Sequence, residues 1–130
     1  MDPTQQPTSS QQPSILIVED EEGPRESIKM VLSPYFNLIT VDSAEVALEV
    51  IKRRPIDLIT LDLKLPGQQG IDLLQTIRQQ TRDIEVIVIT GYGTLQSAME
   101  AIRHGVAAYI LKPFNVSELL AVVDQTFERR

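Results

Sequence analysis

The sequence predicts an α/β fold: an open, doubly wound sheet of five parallel strands flanked by five helices. Two observations lead to this prediction. Short, β-branched apolar runs alternate along the chain with longer segments that repeat apolar residues at helical spacing. The runs are continuous and do not alternate with polar residues, which is typical of strands covered by helices on both faces. They are Ile15–Val18, Leu38–Val41, Leu58–Leu61, Ile84–Ile89 and Ala107–Leu111.

The segments between these runs predict amphipathic helices that connect one strand to the next. One segment repeats apolar residues at i, i+3, i+4 and i+7, namely Leu95, Ala98, Met99 and Ile102. Residues that start or stop helices stand at the ends of the segments. They are Gly23-Pro24 at the first helix, Asp42 and Glu45 as a capping box at the second, Gly105 after the fourth, and Asn115 and Glu118 at the fifth.

The composition excludes several classes of function. The 130 residues include 18 acids and 12 bases, and the net charge of −6 has the wrong sign for binding nucleic-acid phosphates or anionic lipid. The chain has no Cys, which excludes disulfides, zinc–thiolate sites and thiol nucleophiles. No apolar run approaches the roughly 20 residues that span a bilayer. We therefore expect a cytoplasmic protein that binds neither nucleic acid nor membrane.

Two regions are predicted along the chain. Residues 1–13 consist mostly of Gln, Pro, Ser and Thr, which offer little apolar surface to bury. This segment is predicted to be a disordered N-terminal lead. Residues 14–130 contain all five strand–helix units and are predicted to form one domain, with no second domain after it.

Polar residues directly follow four of the predicted strands. They are Glu19 and Asp20 after the first, Asp62 after the third, Thr90 after the fourth and Lys112 after the fifth. In open α/β sheets, ligands bind beyond the carboxyl ends of the strands, so this edge is the predicted site. The alternative is that these side chains cap helices or are solvated. The placement of Asp20, Asp62, Thr90 and Lys112 at the ends of four separate apolar runs favours a shared site.

The chemistry of these residues points to a phosphoryl group and a divalent cation. Asp20 and Asp62 repel each other unless a cation lies between them, and a ligand set made only of oxygen favours Mg²⁺ or Mn²⁺. Mg²⁺ is commonly shared with phosphate oxygens. An Asp carboxylate can itself be the nucleophile and form an aspartyl phosphate. Thr90 and Lys112 would then bind the remaining phosphoryl oxygens.

At this point the sequence resembles the receiver domains of two-component response regulators, over residues 14–130. The matching stretches are ILIVEDEE, DLITLDLKLPGQQG, VIVITGYG and AAYILKPF. The resemblance implies a flavodoxin-like fold with strand order 2-1-3-4-5. It implies that Asp62 is the phosphoacceptor and that Mg²⁺ is bound by Asp20, Asp62 and the backbone carbonyl of Lys64. Glu19 would act on the metal through a bound water.

The resemblance also implies a switch and a set of partners. Thr90 and Tyr109 would form a coupled pair that changes with phosphorylation, and Lys112 would bind the phosphoryl group. The phosphoryl donor would be a histidine kinase or a phosphotransfer protein. The altered surface would be the face made by the fourth helix, the fifth strand and the fifth helix, which would bind an output domain, a partner protein or a second copy of the chain. The stretch TGYGTLQSAMEAIRHG resembles receivers attached to transcriptional activators.

Two other classes of function are alternatives to this switch. A turnover phosphatase with an Asp nucleophile usually has a second Asp two residues further on after the first strand and a cap over its substrate, and neither is visible here. An interaction module that is never phosphorylated would lack one of the acids, the Thr or the Lys, whereas all of them are present. The prediction is therefore a phosphorylation-controlled signalling protein that catalyses only its own phosphorylation and slow autodephosphorylation.

Overall fold

The computed structural model describes residues 12–91 and 93–130, so most of the predicted lead lies outside the described residues. Five parallel strands form one sheet, in which the second of the five along the chain lies at one edge and is followed by the first, third, fourth and fifth. This arrangement confirms the predicted α/β class and strand order. The strands are β1 Ser14–Val18, β2 Asn37–Val41, β3 Leu58–Leu61, β4 Glu85–Thr90 and β5 Ala108–Leu111.

Five helices connect these strands and continue past the last one. They are α1 Glu22–Leu32, α2 Ala44–Arg53, α3 Gly70–Gln80, α4 Leu95–Arg103 and α5 Val116–Glu128. Within the described residues, no helix is both long enough and apolar enough to cross a bilayer.

The core consists of two apolar layers, one on each face of the sheet. Alternate residues of β1 show the division, because successive side chains of a strand point to opposite faces. Leu16 and Val18 belong to the layer that includes apolar residues of α2, α3 and α4. Ile15 and Ile17 belong to the layer that includes apolar residues of α1 and α5. Burial on both faces explains why the strands are continuous apolar runs.

The helix caps confirm most of the predicted helix starts and stops, with one correction. Asn115 accepts hydrogen bonds from the backbone N–H groups of Ser117 and Glu118, and Gly105 follows α4 with a φ of 74°. The predicted capping box at Asp42 was wrong, because Ser43 is the N-cap of α2 and accepts from Val46 N–H. Both are good cap residues, and the backbone becomes helical one residue later than the pattern indicated.

A short antiparallel hairpin between β3 and α3 was not predicted. Lys64 pairs with Gln69 and Leu65 pairs with Gln68, and the turn includes Gly67, whose φ of 74° favours glycine. The hairpin lies directly after Asp62. It therefore forms one wall of the predicted site.

Candidate functional site

Asp62 lies at the centre of the carboxyl edge of the sheet. It follows the central strand β3, and its backbone N–H donates to the carbonyl of Val18 at the end of β1. Only 3% of Asp62 is exposed, and neighbouring Glu19 is 1% exposed, whereas Asp20 is exposed. Because a buried carboxylate needs hydrogen-bond or charge partners, the contacts of Asp62 define the site.

Both carboxylate oxygens of Asp62 accept hydrogen bonds. Thr90 Oγ1 donates to Oδ1 over 2.9 Å, and the backbone N–H of Lys64 donates to the same oxygen over 3.1 Å. Lys112 Nζ donates to Oδ2 over 3.0 Å. The three donors come from the end of β4, the hairpin and the end of β5. The structure therefore brings Thr90 and Lys112 to Asp62 as predicted.

Lys112 bridges two buried carboxylates. Its Nζ lies 2.6 Å from Glu19 Oε1 as well as 3.0 Å from Asp62 Oδ2. Burial by itself lowers the pKa of the Lys112 ammonium, but the hydrogen bonds to Glu19 and Asp62 outweigh burial, so its pKa is raised above the ordinary value. Lys112 is therefore firmly protonated and neutralises part of the negative charge of the site.

Glu19 is the most deeply buried acid of the site. Burial raises its pKa by more than the hydrogen bonds from Lys112 and from the Glu21 N–H lower it. The charge of Asp62 acts in the same direction as burial. An added cation near Glu19 and Asp62 would therefore lower the free energy of the folded state.

Three carboxylates are arranged in a way that fits a divalent cation. One oxygen each from Glu19, Asp20 and Asp62 lies within 4.8 Å of the others. A donor set made only of oxygen, with one exposed carboxylate, is chemically suited to Mg²⁺, which keeps several waters when it binds proteins. Arg25 on α1 donates to the backbone carbonyls of Glu19 and Asp20 over 3.3 and 3.4 Å. This contact of Arg25 with the backbone of Glu19 and Asp20 was not predicted, because it depends on how α1 packs.

Gly70 allows the loop after Asp62 to close tightly. A Cβ atom at Gly70 would lie 2.5 Å from Leu63 Cα and 2.6 Å from the Asp62 carbonyl oxygen. The Gly70 N–H also donates to the Leu63 carbonyl over 2.8 Å. Only glycine fits this approach of backbone to backbone without a shift of the site.

Tyr109 lies apart from Asp62, on the side of β5 that packs against α4. It pairs in register with Val88 of β4, and its hydroxyl lies 3.0 Å from Ser97 Oγ of α4. The ring is half-buried against the layer of α2, α3 and α4. Ser97 was not among the predicted site residues, because its contact with Tyr109 depends on the packing of α4 over β5.

Comparisons with known proteins agree with this geometry. The family model described as "Response regulator receiver domain" matches residues 15–124. The chain is 38% identical to the response regulator protein FleR of Pseudomonas aeruginosa over 110 residues, which is 84% of this chain and 23% of FleR. It is 35% identical to the chemotaxis protein CheY-3 of Vibrio cholerae over 119 residues, which is 88% of this chain and 92% of CheY-3.

Solved structures show the same fold. The signal receiver domain of a putative LuxO repressor protein from Vibrio parahaemolyticus superimposes with a TM-score of 0.86 and 30% identity, covering 91% of this chain and 92% of that chain. The chain spans about a quarter of FleR, so FleR contains much more than this domain. Since the family model covers most of the chain and the similarity to CheY-3 extends over nearly all of that protein, the chain belongs to the receiver domains of two-component response regulators.

Proposed function

We propose that the chain is switched by phosphorylation of Asp62. One observation carries this proposal: the buried Asp62 carboxylate is contacted by Thr90 Oγ1 at one oxygen and by Lys112 Nζ at the other. A hydroxyl and an ammonium at these positions can donate to the carboxylate before the reaction and to the oxygens of the attached phosphoryl group after it. The 3% exposure of Asp62 limits the access of bulk water.

In the proposed step, a carboxylate oxygen of Asp62 attacks the phosphorus atom of a phosphohistidine. The new O–P bond forms as the P–N bond breaks, and the imidazole nitrogen keeps the electron pair and takes a proton from solvent. The product is an aspartyl phosphate. Thr90 and Lys112 bind its phosphoryl oxygens, as does the backbone N–H of Lys64.

Receiver domains bind Mg²⁺ at an acidic pocket, and Glu19, Asp20 and Asp62 form such a cluster here. We assign Asp20, Asp62 and the Lys64 carbonyl as the direct ligands, with Glu19 acting through a metal-bound water. When bound there, Mg²⁺, or Mn²⁺ in its place, would supply positive charge to neutralise the phosphoryl oxygens. Glu19 also pairs with Lys112 Nζ over 2.6 Å, so it would hold both cationic groups close to Asp62.

The proposed donor is a histidine kinase or a phosphotransfer protein. Receiver domains interact with histidine kinases and output domains, which supports this choice. Receiver domains are signalling domains. We propose that this one catalyses only its own phosphorylation and a slow autodephosphorylation, in which water attacks phosphorus and releases inorganic phosphate. We also propose that the protein acts in the cytoplasm.

The proposed readout face is formed by α4, β5 and α5. Thr90 leads from β4 toward α4, and Tyr109 lies on β5 against α4. Leu95 of α4 is 79% exposed, and other large apolar residues of α4 and β5 are exposed too, namely Met99, Ile102 and Leu111. Exposed apolar residues on adjoining elements are typical of a binding surface. An output domain, a partner protein or a second copy would bind there, as in a regulator of transcription, while the acidic domain itself would not contact nucleic acid.

The experiment that tests this function measures intact mass after incubation with a small-molecule phosphodonor and Mg²⁺. The parent protein should gain the mass of one phosphoryl group, and Asp62→Asn should gain none. Asp83→Asn, which removes an exposed acid just before β4, at the edge of the sheet opposite the site, is the matched control and should react like the parent. Equal labelling of Asp62→Asn would contradict the proposal.

A further inference from the structure

We propose that Ser97 is the positioning residue that transmits a change at Tyr109 into α4. This inference rests on the proposed function, because it describes how phosphorylation of Asp62 reaches the readout face. The observation behind it is the 3.0 Å contact between the Tyr109 hydroxyl and Ser97 Oγ. This contact joins β5 to the first turn of α4 through two side chains.

The same Ser97 hydroxyl closes the capping box of α4. The backbone N–H of the N-cap Thr94 donates to Ser97 Oγ over 3.0 Å, and the Ser97 N–H donates to Thr94 Oγ1 over 3.0 Å. A capping box satisfies N–H groups at the start of a helix that have no partner within it. Ser97 therefore belongs both to the start of α4 and to the contact with Tyr109.

Proton counting links the two roles. A serine hydroxyl has one hydrogen to donate and two lone pairs. Ser97 can donate to the Thr94 carbonyl, 3.1 Å away, and must accept from the Thr94 N–H. One lone pair is left for the Tyr109 O–H. When the Tyr109 hydroxyl moves away, this lone pair loses its donor while the Thr94 N–H and carbonyl stay bonded to the same oxygen. Movement of Tyr109 therefore changes the hydrogen bonding of the first turn of α4.

Close packing makes the position of the Tyr109 hydroxyl depend on the loop between β4 and α4. A Cβ atom at Gly93 would lie 3.0 Å from the Tyr109 hydroxyl and would overlap Leu111 Cδ2. The hydroxyl thus fits between the backbone of Gly93 and the side chain of Ser97. The segment runs directly from Thr90, whose hydroxyl bonds to Asp62. A shift of Thr90 toward a phosphoryl group therefore acts on the space that the Tyr109 hydroxyl occupies.

The opposite end of α4 is held firmly. The Arg78 guanidinium of α3 donates to the carbonyls of His104 and Gly105 over 2.8 and 3.2 Å, and to that of Ile84 over 2.8 Å. These bonds tie the end of α4 to α3 and to the start of β4. Since the C-terminal end is fixed in this way, the end of α4 that carries Ser97 is the end that responds.

The experiment compares backbone amide chemical shifts with and without beryllofluoride and Mg²⁺, which together mimic a bound phosphoryl group. In the parent protein, shifts should change both near Asp62 and in the first turn of α4. In Ser97→Ala, the shift changes near Asp62 should persist. The shift changes in α4 should be roughly fivefold smaller, because the loss of one hydrogen bond changes the ratio of two conformations by about this factor. Thr94→Ala is the matched control, because it weakens the capping box and leaves Ser97 Oγ in place; it should keep the α4 response.

A second variant removes the same bond from the other side. Tyr109→Phe keeps the capping box and should lose the α4 response as Ser97→Ala does, and adding Ser97→Ala to it should have no further effect. A full α4 response in Ser97→Ala, or an equal loss in Thr94→Ala, would overturn this inference alone. Absence of any change near Asp62 in the parent protein would overturn the proposed function and this inference with it.

Discussion

Thr90 Oγ1 donates a 2.9 Å hydrogen bond to Asp62 Oδ1, although the two residues are 28 positions apart in the chain. The pairing of β3 with β4 produces this contact, because Leu61 lies opposite Val88 and both strands end at the same edge. Thr90 is completely buried, and the loop that follows it leads to α4. The bond therefore joins the proposed phosphoacceptor to the proposed readout face.

Replacing the hydroxyl of Thr90 should separate phosphorylation from its readout. We expect Thr90→Val to bind beryllofluoride with Mg²⁺ near Asp62 but to show a much smaller amide shift at Tyr109, since no hydroxyl is drawn toward the phosphoryl oxygens. Thr90→Ser keeps the hydroxyl and should retain most of the shift. Two-dimensional NMR spectra of the three proteins measure this. An undiminished shift at Tyr109 in Thr90→Val would show that the relay does not pass through this bond.

Removing the Lys112 ammonium should destabilise the fold in metal-free buffer. Lys112→Met leaves Glu19 and Asp62 without their shared cation, and breaking a buried ion pair in this way costs roughly 3 kcal/mol of unfolding free energy. Lys29→Met is the control, because Lys29 is exposed and lies 4.0 Å from Glu26; it should change stability by less than about 0.5 kcal/mol. Urea denaturation measures both values.

The raised pKa of Lys112 predicts that the unfolding free energy depends on pH, and the parent protein and Lys112→Met test this. The pKa of Lys112 is raised above 10.5 in the folded protein, so the folded state binds this proton more tightly than the unfolded state. Its contribution to stability is therefore fully present below pH 10.5 and is lost as the pH rises through the raised pKa. The parent should lose more unfolding free energy than Lys112→Met on this alkaline side. Parallel stability curves for the two proteins would contradict the assignment.

Mg²⁺ should stabilise the protein through Asp20. Binding to the folded state alone adds about 2.7 kcal/mol when the free ion is at a hundredfold excess over its Kd, so the Tm should rise with Mg²⁺. In Asp20→Asn the rise should be much smaller, because an exposed ligand and its charge are lost. Asp83→Asn should respond as the parent does. Thermal scans with EDTA and with Mg²⁺ give the comparison, and an equal rise in Asp20→Asn would show that Asp20 is not a ligand.

The close approach at Gly70 predicts opposite effects for two glycine substitutions. Gly70→Ala places a Cβ within 2.6 Å of the Asp62 carbonyl and the Leu63 Cα, and the backbone shift should cost about 2 kcal/mol. Gly23→Ala, in α1 with no atom within 4 Å, should stabilise the protein by about 0.5 kcal/mol through helix propensity. Chemical denaturation measures both changes. A Gly70→Ala protein as stable as the parent would show that the loop tolerates a wider turn.

The pattern of the sequence was sufficient to predict the sheet and the residues at its edge, and the family resemblance supplied the strand order. Parallel strands bring their carboxyl ends together, so residues that follow separate apolar runs, such as Asp62 and Thr90, had to meet. The hairpin at Lys64 was missed because two-residue strands carry no periodic signal. Arg78 and Ser97 were missed for a different reason: their partners lie on other elements, at distances set by helix packing.

The central claim is that Asp62 itself receives the phosphoryl group, and reduction by borohydride tests it most directly. Borohydride reduces an aspartyl phosphate to homoserine, which peptide mass mapping locates in the chain. After treatment with a small-molecule phosphodonor and Mg²⁺, we predict homoserine in place of Asp62 and no such conversion when Mg²⁺ is withheld with EDTA. Conversion at another Asp with Asp62 intact, or a phosphoryl group that borohydride leaves unchanged, would contradict the account.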